Sequence, residues 1–264
     1  MYSDTRLKEK TAIITGASGG IGIAIAKELA KMNANLVLTS RHKEGLDRLQ
    51  KDLTSEEIGG NVITVPADIT SEHDRNFLME TTLAEFEQMN VLVNCAGIYC
   101  TAPLEEVEES DLEKSMFVNF IGPVMLTKLV YQKMKEQRNG KIINIGSLSG
   151  LRGWQGGIPY VSSKFALTGF TQCLALEAAP YNIQVNAVAP GFVNTEMGHT
   201  AIAAKAAREG VEFSDMRYRV EQELPSGRIS NPEEVAAVVA FLSSHAADNI
   251  IGSVIKISGG DLLG

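Results

Sequence analysis

Tyr160 and Lys164 stand one helical turn apart, and Ser147 lies thirteen residues before the tyrosine, just past the apolar run Lys141-Ile-Ile-Asn-Ile145. A phenol, an ammonium and a hydroxyl brought to the carboxyl end of one strand can hand a proton to a carbonyl oxygen. The ammonium favours phenolate and is expected to lower the tyrosine pKa from about 10 toward working pH, while the serine hydrogen-bonds the same oxygen. Spacing alone is weak evidence, because Tyr131 and Lys135 share it. That second pair lies in the polar stretch Tyr131-Gln-Lys-Met-Lys-Glu-Gln137, has no serine-ended strand before it and runs into the turn-like Asn139-Gly140. It reads as a solvated helix end.

The elements that must position the triad begin at the amino terminus. Thr11-Ala-Ile-Ile14 reads as a buried strand, and Thr15-Gly-Ala-Ser-Gly-Gly-Ile-Gly22 passes straight into the helical run Ile23-Ala-Ile-Ala-Lys-Glu-Leu-Ala30. Glycines at a strand-to-helix turn let the backbone approach a pyrophosphate, whose charge meets the free amides and positive dipole of the helix start. The spacing is looser than G-x-G-x-x-G, since Ile25 occupies the place of the last glycine. Near the end of the second strand, where a carboxylate would bind both ribose hydroxyls and repel a 2′-phosphate, the chain has Ser40-Arg41. Arg41 is therefore expected to favour NADP(H) over NAD(H).

In order along the chain, the glycine turn, Asp68, Asn94-Cys-Ala-Gly97, Asn119, Ser147, Tyr160, Lys164, Pro190-Gly191 and Ser258-Gly-Gly260 resemble the short-chain dehydrogenase/reductase family over nearly the whole length. Among its members, 3-oxoacyl-carrier-protein reductases and related ketoreductases are the most similar. The resemblance implies a catalytic tetrad of Asn119, Ser147, Tyr160 and Lys164. It implies a cofactor groove built from Gly16, Ser18, Gly20, Ile21 and Gly22 in the first turn, with Ser40 and Arg41 at the ribose. Asp68, Ile69, Asn94, Ala96 and Gly97 follow on the adenine side and floor, and Pro190, Gly191, Val193 and Thr195 beside the nicotinamide, where Tyr160 and Lys164 also reach. Two positions depart from the pattern: Cys95 replaces a usual second asparagine, and Gly19 stands where NADP-using relatives often carry a basic residue. The resemblance also implies a homotetramer that packs the helices beginning near Ser110 and Tyr160 and the last strand against symmetry mates.

Strand-like runs at Thr11–Thr15, Leu36–Ser40, Val62–Val65, Val91–Asn94, Lys141–Gly146, Gln184–Ala189 and Ser253–Ile257 alternate with helical patterns. Right-handed crossovers then give an α/β fold: one doubly wound (Rossmann) parallel sheet of about seven strands with helices on both faces, its ligands at the carboxyl ends. A single domain over residues 1–264 suffices, with 44% hydrophobic and 21% charged residues near globular averages. The segment from Phe192 to about Arg228 replaces a short connection with a long one. Ala201–Arg208 reads as a helix closed by Glu209-Gly210, and Met216, Tyr218, Val220 and Leu224 offer apolar contacts, so a substrate lid is expected. In the glycine-rich loop Gly150–Gly157, Trp154 faces either substrate or a neighbouring subunit; Ser149 and Ser162 read as ordinary turn and helix-start residues.

Net charge of −8 argues against nucleic-acid and anionic-membrane partners. Three cysteines, a charged opening segment and scattered histidines lead to the expectation of a cytoplasmic protein with no disulfide framework and no metal. The expected activity is hydride transfer between NADP(H) and a carbonyl or secondary alcohol, most simply as a ketone or 3-oxoacyl-type reductase. An alcohol, polyol or hydroxy-acid dehydrogenase is the alternative, and a non-catalytic NADP-binding regulator the reading from another class. Should the substrate ride on an acidic carrier protein, Arg152, Lys205, Arg208, Arg217 and Arg219 are the cations placed to receive it; a free small substrate is expected instead.

Overall fold

A computed structural model describes residues 7–55 and 59–263. Seven parallel strands form one sheet in the order β3-β2-β1-β4-β5-β6-β7. They are β1 (Thr11–Thr15), β2 (Asn35–Thr39), β3 (Val62–Thr64), β4 (Val91–Asn94), β5 (Gly140–Ile145), β6 (Ile183–Pro190) and β7 (Val254–Ile257). Strand order reverses between β1 and β4, which opens a crevice above their carboxyl ends.

Alternation along each strand divides the core between the two faces of the sheet. Ala12 and Ile14 of β1, Leu36 and Leu38 of β2, and Val91 and Val93 of β4 pack on one face with α1 (Gly20–Lys31), α2 (Lys43–Ser55) and α9 (Pro232–Ser243). Ile13, Val37 and Leu92 turn to the other face, against α3 (Glu72–Phe86), α5 (Gly122–Gln137) and α6 (Ile158–Ala178). Both faces are covered, so the strands read as continuous apolar runs.

The remaining helices serve the crevice. A short α4 (Glu109–Met116) passes into a π-type turn over Phe117–Ile121 before α5. Beyond β6, α7 (Glu196–Glu209) and α8 (Phe213–Glu223) share a small core of Ile202, Ala206, Met216, Val220, Leu224 and Ile229. The expected Ala201–Arg208 helix thus begins one turn earlier, where the Thr195 hydroxyl accepts from the Gly198 amide, and it ends as expected at Gly210, with φ +65°. Tyr218 departs from expectation: Met216 and Val220 point inward, and Tyr218 stays 64% exposed between them.

Candidate active site

At the first turn, chain geometry demands glycine at particular positions. Gly16 has φ +64°, and a Cβ on Gly22 would stand 2.2 Å from the Gly16 carbonyl oxygen, so helix and strand could not close as they do. A Cβ on Gly20 would meet the Thr195 methyl at 2.7 Å, whereas one on Gly19 would have only the Gly16 carbonyl oxygen, at 3.4 Å, within contact range. No side chain caps α1 and no acidic residue lies in its first turn, which leaves amides and dipole for an anion. Beside the turn, Ser18 donates to Ser40 at 3.0 Å, and Ser40 also accepts from the His42 amide. Arg41 is exposed, and its side chain has no hydrogen bond or ion pair among the described residues.

Further along the crevice, Asp68 Oδ1 accepts from the Thr70 amide and hydroxyl, at 2.9 and 2.8 Å, while its own amide donates to Asp74. Ile69 is buried, and its carbonyl accepts from Arg75. Asn94 behaves differently from a groove-lining side chain. Its amide nitrogen donates to Thr127 and Asn144, the latter donates on to Thr171, and this buried chain ties β4 and β5 to α5 and α6. Asn94 Oδ1 has no partner among the described residues. Ala96, whose amide is held by the Thr15 hydroxyl, and Gly97 supply backbone surface instead. A Cβ on Gly97 would lie 3.2 Å from Asn119 Oδ1 and 3.7 Å from Lys164 Nζ. Across the crevice, Gly191 is held by Ile257, Val193 is buried, and Thr195 caps α7. The glycine cradle and the uncapped start of α1 together fit the pyrophosphate of a dinucleotide.

At the far end of this cradle, the expected tetrad converges. Ser147 follows β5, its hydroxyl accepting from the Ser149 amide at 3.1 Å. Tyr160 and Lys164 lie in the first two turns of α6, and Lys164 Nζ donates to the Ile145 carbonyl at 2.9 Å while lying 5.7 Å from the Tyr160 ring centroid. Asn119, in the π-type turn and wholly buried, accepts from the Ile98 amide and donates to the Ile98 carbonyl and to Ser163. The extra residue of such a turn is a device that re-aims a side chain within a helix.

One electrostatic expectation is corrected. Burial, not the ammonium, dominates Tyr160: it pushes the phenol up to about 12, the nearby Ser147 hydroxyl opposing and Tyr99 adding to the rise. Burial also brings Lys164 down to about 8, with Cys95 acting weakly the other way. Tyr160 therefore keeps its proton, and Lys164 is charged at neutral pH but poised to lose that charge just above it. At the decoy, Lys135 Nζ lies over the rings of Tyr131 and Tyr181, 6.0 and 4.3 Å from their centroids, an aromatic clasp more ordered than the expected solvated helix end.

Tyr99, which lies outside the expected set, packs directly on Tyr160, and Trp154 and Arg208 continue outward from it. The Tyr99 and Tyr160 ring centroids are 5.2 Å apart; Trp154 lies nearly parallel to Tyr99, 6.4 Å away at 14°; and the Arg208 guanidinium from α7 sits 5.5 Å from the Trp154 ring. Ser149, expected to be a plain turn residue, accepts from the Trp154 indole at 3.0 Å and so fixes it to the Ser147 loop. Trp154 thus lies between Tyr99 and Arg208, tied to the Ser147 loop. No local signal could have linked residues 99, 154 and 208, since only the fold brings them together.

Comparison with known proteins agrees with this geometry. Residues 10–206 match the family model for short chain dehydrogenase, and the chain belongs to that family of oxidoreductases. It is 34% identical to the 3-oxoacyl-[acyl-carrier-protein] reductase of Aquifex aeolicus over 257 residues, covering 97% of this chain and 99% of that one. Among solved structures, it superposes on actinorhodin polyketide ketoreductase with NADPH at TM-score 0.91 and 30% identity, covering 99% of each chain. NAD+-bound xylitol dehydrogenase superposes at TM-score 0.90 and 27% identity, covering 96% and 99%. The protein is therefore a nicotinamide-dinucleotide oxidoreductase of the short-chain family. No described helix is long and apolar enough to cross a membrane.

Proposed function

We propose that the protein is an NADP(H)-dependent carbonyl reductase, reversible as a secondary-alcohol dehydrogenase, with Asn119, Ser147, Tyr160 and Lys164 as its catalytic residues. The observation that carries this reading is the buried Tyr160 beside Ser147 and Lys164 at the end of the glycine cradle. When bound, NADPH supplies the hydride that reduces the carbonyl carbon. Tyr160 gives its proton to the carbonyl oxygen, a downhill transfer because an alkoxide is far more basic than a phenolate. Ser147 orients that oxygen by hydrogen bonding. Lys164, charged below about pH 8, supplies the positive charge that steadies the phenolate once Tyr160 has lost its proton, so the lysine acts during turnover rather than before it. Asn119 clamps both backbone groups of Ile98 and thereby holds the wall of the site beside Lys164.

The NADP(H) preference rests on Ser40 and the unpaired Arg41. One charge-assisted hydrogen bond to a 2′-phosphate is worth about tenfold or more in affinity. The segment from Phe192 to Arg228 serves as the substrate lid, with α7 and α8 as its body. Phe165 and Leu176 are 44% and 78% exposed along α6, and a Cβ on Gly169 would meet nothing within 4 Å, which supports packing of this face against a second copy in a homotetramer. A cytoplasmic location and free small substrates complete the reading. Its test is NADPH oxidation against a panel of diketones, keto acids and 3-oxoacyl thioesters, with KM measured for both cofactors. Wild type should prefer NADPH, Arg41→Ala should weaken NADPH about tenfold while hardly affecting NADH, and Ser40→Asp should reverse the preference. A wild-type preference for NADH would remove the cofactor assignment.

A further inference from the structure

The five lid and loop cations that could receive an acidic partner are not equivalent. Arg152 is paired with Asp261, Lys205 with Glu223 at 3.5 Å, Arg217 with Glu221 at 3.2 Å and Arg219 with Glu209 at 3.5 Å. Arg208 alone among these five has no carboxylate partner among the described residues. It makes one hydrogen bond, from Nη1 to the Gln155 carbonyl at 3.2 Å, which leaves donors of the guanidinium fork uncommitted. This arginine stands at the outer end of an aromatic run that starts at the proton donor: Tyr160, then Tyr99, then Trp154, then the guanidinium. Its charge reaches the Tyr99 phenol, opposing the rise that burial imposes there. Trp154 is anchored to the Ser147 loop by its indole bond to Ser149.

A single free cation separated from the proton donor by flat aromatic surface suits a particular ligand shape. The carbonyl must reach Tyr160, a planar body can lie along Tyr99 and Trp154, and an anionic end can meet Arg208. A broad acidic protein surface would need several free cations, and four of the five are neutralised.

We propose that Arg208 is the substrate-anion recognition residue and that, with Tyr99 and Trp154, it selects small ketones that carry a planar ring or conjugated body and one carboxylate. This selection deepens the reductase reading above and rests on it. In a chain of net charge −8, one local cation must draw an anionic substrate against the overall field, so the preference for acids should weaken as salt is added.

The test compares 4′-acetylbiphenyl-4-carboxylate with its ethyl ester, and the saturated 9-oxodecanoate of similar length with its ethyl ester, in wild type, Arg208→Gln and Trp154→Leu. Binding is measured calorimetrically in the presence of NADP+, and turnover separately by NADPH oxidation. Glutamine removes the charge and the guanidinium fork but stays polar, and affinity for the uncharged esters reports any separate loss of the latch to the Gln155 carbonyl. The expected result is that wild type binds each acid about tenfold or more tightly than its ester. Arg208→Gln should abolish that ratio by weakening the acids far more than the esters, and Trp154→Leu should weaken the biphenyl compounds more than the decanoates. Equal affinity for acid and ester in wild type, an acid preference that persists in Arg208→Gln, or no binding of any of the four overturns the proposal. Acid-selective binding without NADPH oxidation supports the anion site and contradicts the reductase reading instead, so the two can fail separately.

Discussion

Replacing Lys164 with methionine should make the protein more stable at neutral pH, and the gain should vanish in alkali. Burial lowers the Lys164 pKa from the ordinary 10.5 to about 8. At about 1.4 kcal/mol per pH unit, keeping that side chain charged in the folded protein costs about 3 kcal/mol. The sign follows from proton binding: between pH 8 and 10.5 the unfolded chain holds a proton on this lysine and the folded chain does not. The Lys164 contribution to wild-type stability therefore rises with pH across that window, and below pH 8 its full cost is present. Methionine fills a similar volume with no charge but forfeits the bond to the Ile145 carbonyl, a loss of about 1 kcal/mol. Lys164→Met should accordingly be about 2 kcal/mol more stable than wild type at pH 7, with the difference shrinking through pH 9 and reversing near pH 10. Urea unfolding at pH 7, 8, 9 and 10, at one protein concentration, measures it. Tyr160, raised to about 12, keeps its proton in the folded state across this range, so its contribution cancels in the difference. Parallel stability curves for the two proteins, or a variant less stable at pH 7, would refute a lysine pKa depressed by burial.

Two substitutions probe the frame around the site. Gly22→Ala places a methyl 2.2 Å from the Gly16 carbonyl oxygen and should cost about 1–3 kcal/mol of stability together with loss of dinucleotide binding, read by urea unfolding and by fluorescence titration with NADPH. Asn119→Ala leaves the Ile98 amide and carbonyl without their partners and should cost about 2–4 kcal/mol by the same unfolding assay, whereas a loss below 1 kcal/mol would show that the clamp is dispensable.

Much of this is legible in the sequence because chemistry at close quarters restricts residue type. The first turn tolerates glycine alone at Gly16, by backbone angle, and at Gly22, by contact, so dinucleotide geometry is written directly into the chain. Strand runs are readable to within one or two residues because a sheet covered on both faces makes most strand positions apolar. Helix α8 was missed although Met216, Val220 and Leu224 recur at helical spacing, a signal that could have found it. Two features were out of reach. The Asn94–Asn144–Thr171 ladder and the Tyr99–Trp154–Arg208 run join distant segments, and nothing local distinguishes their members from ordinary polar or aromatic residues. The Tyr160 pKa went astray for a related reason: spacing reveals a charged neighbour, but only packing reveals how much water has been removed.

The central claim is that Tyr160 donates the proton. The ring of Tyr160→Phe stays packed against Tyr99, and only the hydroxyl is lost. The most direct measurement is kcat for NADPH-dependent ketone reduction in wild type, Tyr160→Phe and Tyr131→Phe, with NADPH affinity determined alongside. Tyr160→Phe should lose about a hundredfold or more in kcat at nearly unchanged NADPH affinity, while Tyr131→Phe, whose hydroxyl only donates to the Glu177 carbonyl, should stay close to wild type. Equal losses in the two variants, or a Tyr160→Phe enzyme that retains most of its turnover, would contradict it.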